Sequence, residues 1–397
     1  MPSFLDIFRQ YLPTYNEVRN KPTSFDAAAH ADSHENGGTD EISVAALSGT
    51  LADAQNAGAI KGVIVDNADI GDQKVLAYDL GTERIIYIEQ SVPERTYDES
   101  LWAQRAPNLD SQEYVWHMVQ LNDKLYGGTS HATAGGHLHE WNDADAWVEK
   151  APRLDDQNHI YSMVVFGGKI YGGTATGGRL FEWNDVNLWV EKAPELNSQT
   201  AIRSMVVHNA KLYAGTDPGG RLFEWNDVNL WVQKAAQLNS QTIIYSMVVH
   251  NNKLYAGTSP GGRLFEWNDV DEWVQKAPEL NGQTDILSLV VFDSKLYAGT
   301  GGGGRLFQWN DVDAWVQKAP QLNSQANIFS LTTFESGLFA GTHPGGLLFQ
   351  WNDLDAWDQR AAQHEGLTGI MSLISFDDKL FAGSNVGANL LLWRRTW

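Results

Sequence analysis

One segment of this chain is repeated with a period of 42 residues. Its clearest marker is a tryptophan that recurs at this step, accompanied by a second tryptophan series with the same step. The first series is Trp141, Trp183, Trp225, Trp267, Trp309, Trp351 and Trp393. The second is Trp147, Trp189, Trp231, Trp273, Trp315 and Trp357, and Trp102 extends it backwards by 45 residues. Seven copies therefore follow residue 95, which indicates a repeat architecture.

Within one copy the apolar residues alternate with the period of β-strands. The copy over 253–280 reads KLYAGTSPGGRLFEWNDVDEWVQKAPEL, and the apolar run at 246–250 precedes it. Together they hold four short strand segments, separated by turns rich in Asn, Asp, Pro and Gly. A four-stranded sheet of this size cannot cover both faces alone, so the copies must pack on one another, as the blades of a β-propeller do. Ala256 and Gly257 leave room for that packing. The sequence predicts an all-β, seven-bladed propeller over 95–397, and a straight solenoid is the alternative.

The two ends of the repeat region complement each other. Residues 101–107 match the fourth strand of later copies, whereas the last copy stops after its third strand at Trp393. The N-terminal strand is therefore expected to complete the last blade, which gives a one-plus-three closure and removes an exposed sheet edge.

Composition excludes several classes of partner and chemistry. The chain carries a net charge of −21 and contains no cysteine. With no basic cluster longer than two arginines, we expect it to bind neither nucleic acid nor an anionic membrane. It lacks a disulfide framework. We see no signal peptide and no membrane-inserted segment in the sequence.

The first 94 residues differ in kind from the repeats. We predict a docking helix or arm over 1–25, a fibre-like linker over 26–60 and a β-hairpin module over 61–94, so the region before the propeller is small, extended and α/β. In the last of these, apolar runs at 75–78 and 85–88 flank a turn at 80–83. An isolated hairpin is only marginally stable in water. The region should therefore need copies of itself or another protein, which indicates an oligomerisation and attachment role.

Residues 26–90 resemble a stretch of the tail-fibre and adhesion proteins of tailed bacteriophages. The resemblance rests on HADSHENGGTDEIS at 30–43, an H-x-x-x-H followed by a GG-x-D-x-I segment, and on DIGDQKVLAYD at 69–79, which is similar to the hairpin module that often follows it. It implies a trimeric, elongated element of the virion that contacts other virion proteins through residues 1–94, with a receptor-binding domain at its far end. The propeller also resembles lectin-like propellers in architecture and tryptophan content, but that likeness transfers no binding residue.

Candidate ligand-binding residues come from the turns of the repeats. Four arginines follow a Gly-Gly pair, and four glutamines lie in the connections between the fourth strand and the next first strand, which should emerge on the same face. They are Arg179, Arg221, Arg263 and Arg305, and Gln199, Gln241, Gln283 and Gln325. Guanidinium groups beside amides suit the hydroxyl and carboxylate groups of glycans, although ion pairs and turn formation explain the same residues without a ligand.

The first copy and the two off-series tryptophans offer further candidates. The turn of the first copy is three residues longer than in later copies, and it holds His131 and His137. The regular tryptophans read mostly as core between blades, whereas Trp116 and Trp397 stand outside both series.

His30 and His34 are the candidate metal ligands, because two histidines four residues apart would face one way on a helix and could surround a threefold axis. No other cofactor is expected. Glu140, Glu182, Glu224 and Glu266 repeat with the copies and should pair with Lys150, Lys192, Lys234 and Lys276 across strands. Because no unique catalytic group or catalytic motif stands out, the sequence predicts that the chain is not an enzyme.

These observations favour a virion attachment protein located outside the cell, whose propeller is expected to bind a host-surface receptor of the glycan class through many weak contacts. A structural or decorating propeller that contacts other proteins is the first alternative. A surface glycan hydrolase is the second, since the separation of two carboxylates cannot be read from a sequence.

Overall fold

The computed structural model describes residues 102–106, 109, 112–154, 156–196, 198–238, 240–280, 282–322, 324–364 and 366–393, and four strand backbones nearer the N-terminus. The chain divides into two compact units, Met1–Glu94 and Arg95–Trp397. All regular structure in the described residues is β.

In the first unit, strands pair in two antiparallel ladders. Strand β1 (Ala59–Ile60) pairs with β2 (Val63–Ile64), and β3 (Lys74–Asp79) pairs with β4 (Arg84–Glu89). The second ladder is the hairpin predicted around residues 80–83. The predicted arm over 1–25, most of the linker over 26–60, and His30 and His34 lie outside the described residues.

The second unit contains seven four-stranded antiparallel sheets, so the predicted seven-bladed propeller is confirmed. Blade 1 consists of β6 (Tyr114–Leu121), β7 (Lys124–Ser130), β8 (Leu138–Trp141) and β9 (Trp147–Ala151). Blade 2 consists of β10 (Ile160–Phe166), β11 (Lys169–Thr174), β12 (Leu180–Trp183) and β13 (Trp189–Ala193). Blade 3 consists of β14 (Ala201–His208), β15 (Lys211–Asp217), β16 (Leu222–Trp225) and β17 (Trp231–Ala235). Blade 4 consists of β18 (Ile243–His250), β19 (Lys253–Ser259), β20 (Leu264–Trp267) and β21 (Trp273–Ala277). Blade 5 consists of β22 (Asp285–Phe292), β23 (Lys295–Gly301), β24 (Leu306–Trp309) and β25 (Trp315–Ala319). Blade 6 consists of β26 (Asn327–Phe334), β27 (Gly337–His343), β28 (Leu348–Trp351) and β29 (Trp357–Ala361).

Blade 7 closes the ring as the sequence predicted. It consists of β30 (Ile370–Phe376), β31 (Lys379–Ser384), β32 (Leu390–Trp393) and, from the N-terminal side of the domain, β5 (Trp102–Ala106). Trp102 lies opposite Trp393 in the β5–β32 ladder. The first strand of each blade contacts the first strands of both neighbours, and β30 contacts β6, so the seven first strands surround the ring axis. The solenoid alternative is therefore wrong.

The first tryptophan series forms the core between blades. Each of these tryptophans packs on the second-strand aromatic residue of the preceding blade: Trp183 on Tyr126 at 5.3 Å between ring centroids, and across the closure Trp141 on Phe381 at 4.8 Å. A small residue is needed beside this core, because a Cβ on Gly257 would lie 2.3 Å from Cγ2 of Ile286 in the next blade. The tryptophans and glycines of the repeat thus have a packing role.

Two connections of each blade meet at one face of the ring, here called the upper face. The turn between the second and third strands hydrogen-bonds to the connection that enters the next first strand; for example, the Gly220 N–H donates to the Thr242 carbonyl at 2.9 Å. The predicted placement of the Gly-Gly-Arg turns and the Gln-containing connections on one face is therefore confirmed. The opposite, lower face holds the third-to-fourth turns, where the side chain of Asn226 and its counterparts accepts up to three backbone N–H groups.

The predicted glutamate–lysine pairs are also confirmed. The Lys Nζ to Glu carboxylate distances are 3.2, 3.2, 3.2 and 3.3 Å for Lys150–Glu140, Lys192–Glu182, Lys234–Glu224 and Lys276–Glu266. In the middle copies the glutamate also accepts a tyrosine hydroxyl, as in Tyr171–Glu182 at 2.6 Å. Burial and this carboxylate raise the pKa of Tyr171 above its usual range. These carboxylates therefore belong to the framework of the blades.

Candidate functional site

A cavity of about 400 Å³ lies on the ring axis, between the upper halves of the seven first strands. Pockets of this size that combine aromatic side chains with a few polar groups are typical of small-ligand sites. The cavity is the candidate functional site.

A β-bulge in every first strand supplies the residues that distinguish one side of this cavity from another. In β18, Ile244 pairs with Thr258 and Ser246 with Gly257, so Tyr245 between them has no partner in the ladder. The same shift occurs in the six other first strands. The bulged residues all line the cavity; they are Trp116, Tyr161, Arg203, Tyr245, Leu287, Phe329 and Met371. A bulge re-aims a side chain out of the regular alternation, and bulges are frequent beside functional sites.

These seven bulged residues, here called the mouth ring, differ from blade to blade although the repeats around them are nearly uniform. Six of the seven blades carry serine at the next position, from Ser162 to Ser372, and all seven carry a large aromatic residue in the second strand. The packing of the blades therefore demands uniformity at those positions and not at the mouth ring.

Arg203 is the charged member of the mouth ring. Its guanidinium lies 4.0 Å from the ring centroid of Tyr161 and 5.9 Å from that of Tyr245, one blade away on either side. Both Nε, at 3.1 Å, and Nη2, at 3.0 Å, donate to Oδ2 of Asp217. The arginine is thus held between two aromatic faces and beside a carboxylate, an arrangement that fixes its orientation.

An aromatic arc continues from Arg203 towards blade 1. Tyr161 meets Trp116 edge to face at 5.4 Å, and Trp116 stacks on Tyr114 at 4.9 Å. The indole N–H of Trp116 donates to the hydroxyl of Ser130 at 2.9 Å. The indole is therefore fixed in place, away from both tryptophan series. Trp397, the other off-series tryptophan, lies outside the described residues.

His117 stands in the cavity wall where the other blades have serine. Surrounding protein atoms desolvate its ring, and this lowers its pKa to about 4. The imidazole is consequently neutral at physiological pH and can offer one donor and one acceptor.

The predicted glutamines have a place within the framework. Gln199, Gln241, Gln283 and Gln325 are all buried. Each Oε1 accepts the hydroxyl of a second-strand threonine, as in Thr216–Gln199 and Thr258–Gln241, both at 2.5 Å. Gln112 and Gln157 make the same contact in blades where no binding role was predicted. This bond ties the loop between blades to the second strand; a ligand-binding role for the glutamines remains a prediction.

The predicted arginines lie on the upper face, outside the mouth ring. All four are partly buried. Arg179 approaches Glu191 at 3.8 Å, and Arg263 approaches Glu279 at 3.5 Å. The ion pairs weighed against a ligand-binding role therefore exist for these two.

The predicted histidines lie in and beside the long turn of blade 1. Nδ1 of His131 accepts the N–H of Ala134 at 2.8 Å, so the ring stabilises the turn. Nδ1 of His137 lies 2.8 Å from Oε2 of Glu149, and its Nε2 lies 3.1 Å from the Ala134 carbonyl oxygen. Neither histidine lines the central cavity.

Arg203, Tyr161 and Tyr245 were not among the predicted site residues. The first strand was predicted as the apolar run at 246–250, whereas in the structure β18 already begins at Ile243. The signal that could have revealed them is the variability of one position between otherwise matching copies.

No protein-family model matches the sequence, and no curated protein matches it. Solved structures of propellers match the fold at low identity. The extracellular domain of BT4673 from B. thetaiotaomicron is 18% identical with a TM-score of 0.59; the match covers 75% of this chain and 40% of that one. The WD40 propeller domain of Doa1 is 11% identical with a TM-score of 0.56, covering 74% of this chain and 96% of that one. This chain thus spans about two-fifths of the length of the BT4673 domain.

One comparison corrects the prediction that the chain is not an enzyme. A catalytically inactive virginiamycin B lyase from Staphylococcus aureus, solved with quinupristin, has a TM-score of 0.62 at 8% identity, covering 74% of this chain and 99% of that one. Since an enzyme shares the architecture, the absence of a familiar motif from a propeller sequence was wrong grounds for excluding catalysis. At this identity the fold shows no activity for the present chain.

Within the described residues, no helix has the length and apolar character needed to cross a membrane.

Proposed function

We propose that this chain is a virion attachment protein whose propeller binds a glycan of a host surface at the mouth of its central channel. The observation that carries the binding site is the mouth ring: seven equivalent bulged positions hold six kinds of side chain, of different size and polarity, around one cavity. Selection for packing alone would favour the same residue in each blade, as at the neighbouring serine position. The variation supports a single asymmetric site in place of seven equal ones.

The chemistry of the cavity suits a neutral sugar. The indole of Trp116, which lines the cavity, offers an apolar surface that the C–H face of a pyranose can contact. Asp217 neutralises much of the charge of Arg203, so the pair presents N–H donors and carboxylate acceptors together. Neighbouring sugar hydroxyls need both, since each hydroxyl donates and accepts. The remaining wall, from Leu287 through Phe329 to Met371, is apolar and would contact the less polar edge of the ligand.

The attachment role rests on the N-terminal sequence. Residues 26–90 resemble phage tail-fibre and adhesion proteins, which supports docking to other virion proteins, an extracellular location on the virion and a trimer through residues 1–94. A trimer would place three propellers on one particle component and multiply weak glycan contacts by avidity.

A glycan array probed with the full chain and with two matched arginine-to-leucine variants tests the proposal. Arg203→Leu removes the mouth-ring guanidinium, and leucine already occupies this position in blade 5 as Leu287. Arg305→Leu removes an upper-face arginine outside the cavity, and leucine occupies that position in blade 6 as Leu347. Loss of hydrogen bonds from a charged group should raise the Kd for the selected glycan roughly 10- to 100-fold in Arg203→Leu. Arg305→Leu should leave the Kd unchanged.

A raised Kd in Arg305→Leu together with an unchanged Kd in Arg203→Leu would instead indicate that the upper-face arginines bind the glycan. If Arg203→Leu and Trp116→Leu both bind the selected glycan as the unmodified chain does, the channel mouth is not the glycan site.

A second candidate function is contact with neighbouring proteins through the lower face. The tips of five third-to-fourth turns each expose an apolar side chain to two-thirds or more of its surface; these are Val186, Val228, Val270, Val312 and Leu354. A ring of exposed apolar side chains favours a protein contact. Absence of glycan binding together with loss of cell or virion association in Val270→Ser would favour this function.

A further inference from the structure

Blade 1 gathers two histidines and a glutamate outside the central cavity. His137 precedes β8, His139 lies within it, and Glu149 lies opposite His139 in the β8–β9 ladder. One potential ligand atom from each of the three lies within 4.8 Å of the others. The two imidazole rings are stacked, with centroids 5.9 Å apart and planes 13° apart.

His139 is a polar residue at a position that is apolar in the six other blades. The equivalent residue is phenylalanine in blades 2 to 6, from Phe181 to Phe349, and leucine in blade 7. His139 is only 4% exposed, and its Nδ1 is buried with no hydrogen-bond partner. A buried polar atom without a partner destabilises a fold by about 1–3 kcal/mol. The packing of blade 1 gives no reason to keep it.

Both ring nitrogens of His137 face oxygen atoms that accept hydrogen bonds, an arrangement that suits a bound cation. Its Nε2 faces the Ala134 carbonyl oxygen and its Nδ1 faces the carboxylate of Glu149, so both nitrogens meet acceptors. A neutral imidazole has one N–H and can satisfy only one of them, so the second needs a cation at Nδ1, either a proton or a metal ion. A metal ion between Nδ1 and the carboxylate would satisfy the second, while the N–H on Nε2 donates to the carbonyl. Metal-ligating histidines characteristically donate their other N–H to such an oxygen.

The equivalent residues of blade 2 are Arg179, Phe181 and Glu191. Arg179 approaches Glu191 at 3.8 Å, and Phe181 is a buried apolar residue. Blade 1 keeps the glutamate and has histidine at both other positions. We propose that His137, His139 and Glu149 bind a divalent transition-metal ion of the zinc type, with a fourth position open to water or to a ligand. Tetrahedral coordination with bonds of about 2.0–2.2 Å separates ligand atoms by roughly 3.3–3.6 Å, between the 2.8 Å contact and the 4.8 Å span observed here.

Calorimetric titration of the tag-free full chain with ZnCl₂ tests the site. We expect binding of one equivalent that disappears in the double variant His137→Arg/His139→Phe, which carries the residues of blade 2. The affinity should fall by more than about 100-fold, since the change removes two ligands and not merely their outer partners. Because blade 2 tolerates these residues, the variant should fold, and its metal-free thermal midpoint should equal or exceed that of the unmodified chain.

Two further measurements separate this site from others. Co²⁺ in place of Zn²⁺ should give the visible absorption bands of four-coordinate cobalt in the unmodified chain and lose them in the double variant. His30→Ala/His34→Ala should leave this equivalent intact, and a second equivalent lost in that variant would belong to the N-terminal histidines. Unchanged zinc stoichiometry and affinity in His137→Arg/His139→Phe would overturn the proposal.

Discussion

At the scale of single residues, His117 shows how the cavity wall couples folding to pH. Burial lowers its pKa from 6.5 to about 4. Between these two values the unfolded chain binds a proton that the folded chain does not, so acid favours unfolding within this window. The stability contribution is fully present above pH 6.5 and declines by at most about 3 kcal/mol as the pH falls to 4. Chemical denaturation at a series of pH values should show this decline.

The matched change is His117→Ser, the residue of the six other blades. It should reduce the dependence between pH 6.5 and 4, leaving the part due to the other histidines whose pKa is lowered by burial: His139, to about 3, and also His159 and His343. An NMR titration should report a neutral His117 ring at pH 5. A ring that titrates near pH 6.5 in the folded chain would contradict the expected desolvation.

Residue roles could be predicted from the sequence where the repeat determines them. The glutamate–lysine pairs could be predicted because both residues recur in consecutive copies on neighbouring strands, although Lys234 itself lies at a register shift in the ladder. The environment of Gln199 could not be predicted, because the pattern shows that the glutamine recurs but not that its amide turns inwards to a threonine. Arg203 and Tyr245 were not predicted, because the apolar run predicted as the first strand begins one residue after the bulge.

At the scale of elements, the pairing of β5 with β32 joins the two ends of the ring. This pairing could be predicted, because residues 101–107 match other fourth strands and the last copy lacks one. Trp102 is 6% exposed and packs in the same cluster as Trp393. Strand β5 differs from other fourth strands in one respect: no short turn connects it to its neighbour, so packing and ladder hydrogen bonds alone hold it.

Trp102→Ala and Trp147→Ala separate these contributions. The two tryptophans occupy the same blade position with 6% and 7% exposure, but β9 is connected to β8 through a short turn whereas β5 is not connected to β32. Each change should lower the free energy of unfolding by about 3–5 kcal/mol. Only Trp102→Ala should also accelerate hydrogen exchange in β5 and β32 at low denaturant, because the closing strand can detach locally. Equal exchange in β32 of both variants would mean that closure does not depend on this contact.

At the scale of the whole molecule, the two compact units allow binding and assembly to be measured apart. The strands of the propeller lie within 102–393, so a chain that begins at Arg95 retains the closing strand and the complete mouth ring. If residues 1–94 assemble the molecule, the full chain should have the mass of an oligomer, with a trimer favoured, and the chain from Arg95 that of a monomer. Light scattering coupled to size-exclusion chromatography measures both masses.

The same pair of chains tests avidity. Each propeller should bind a soluble monovalent glycan with the same Kd in either chain, because the channel mouth is unchanged. Binding to a glycan-coated surface should weaken by about 10²- to 10⁴-fold in the chain from Arg95, because linked sites lose their effective concentration. Surface plasmon resonance at low and high glycan density measures both quantities. Equal surface affinities for an oligomeric full chain and a monomeric propeller would mean that assembly serves docking alone, and a monomeric full chain would remove the oligomer from the proposed attachment mechanism.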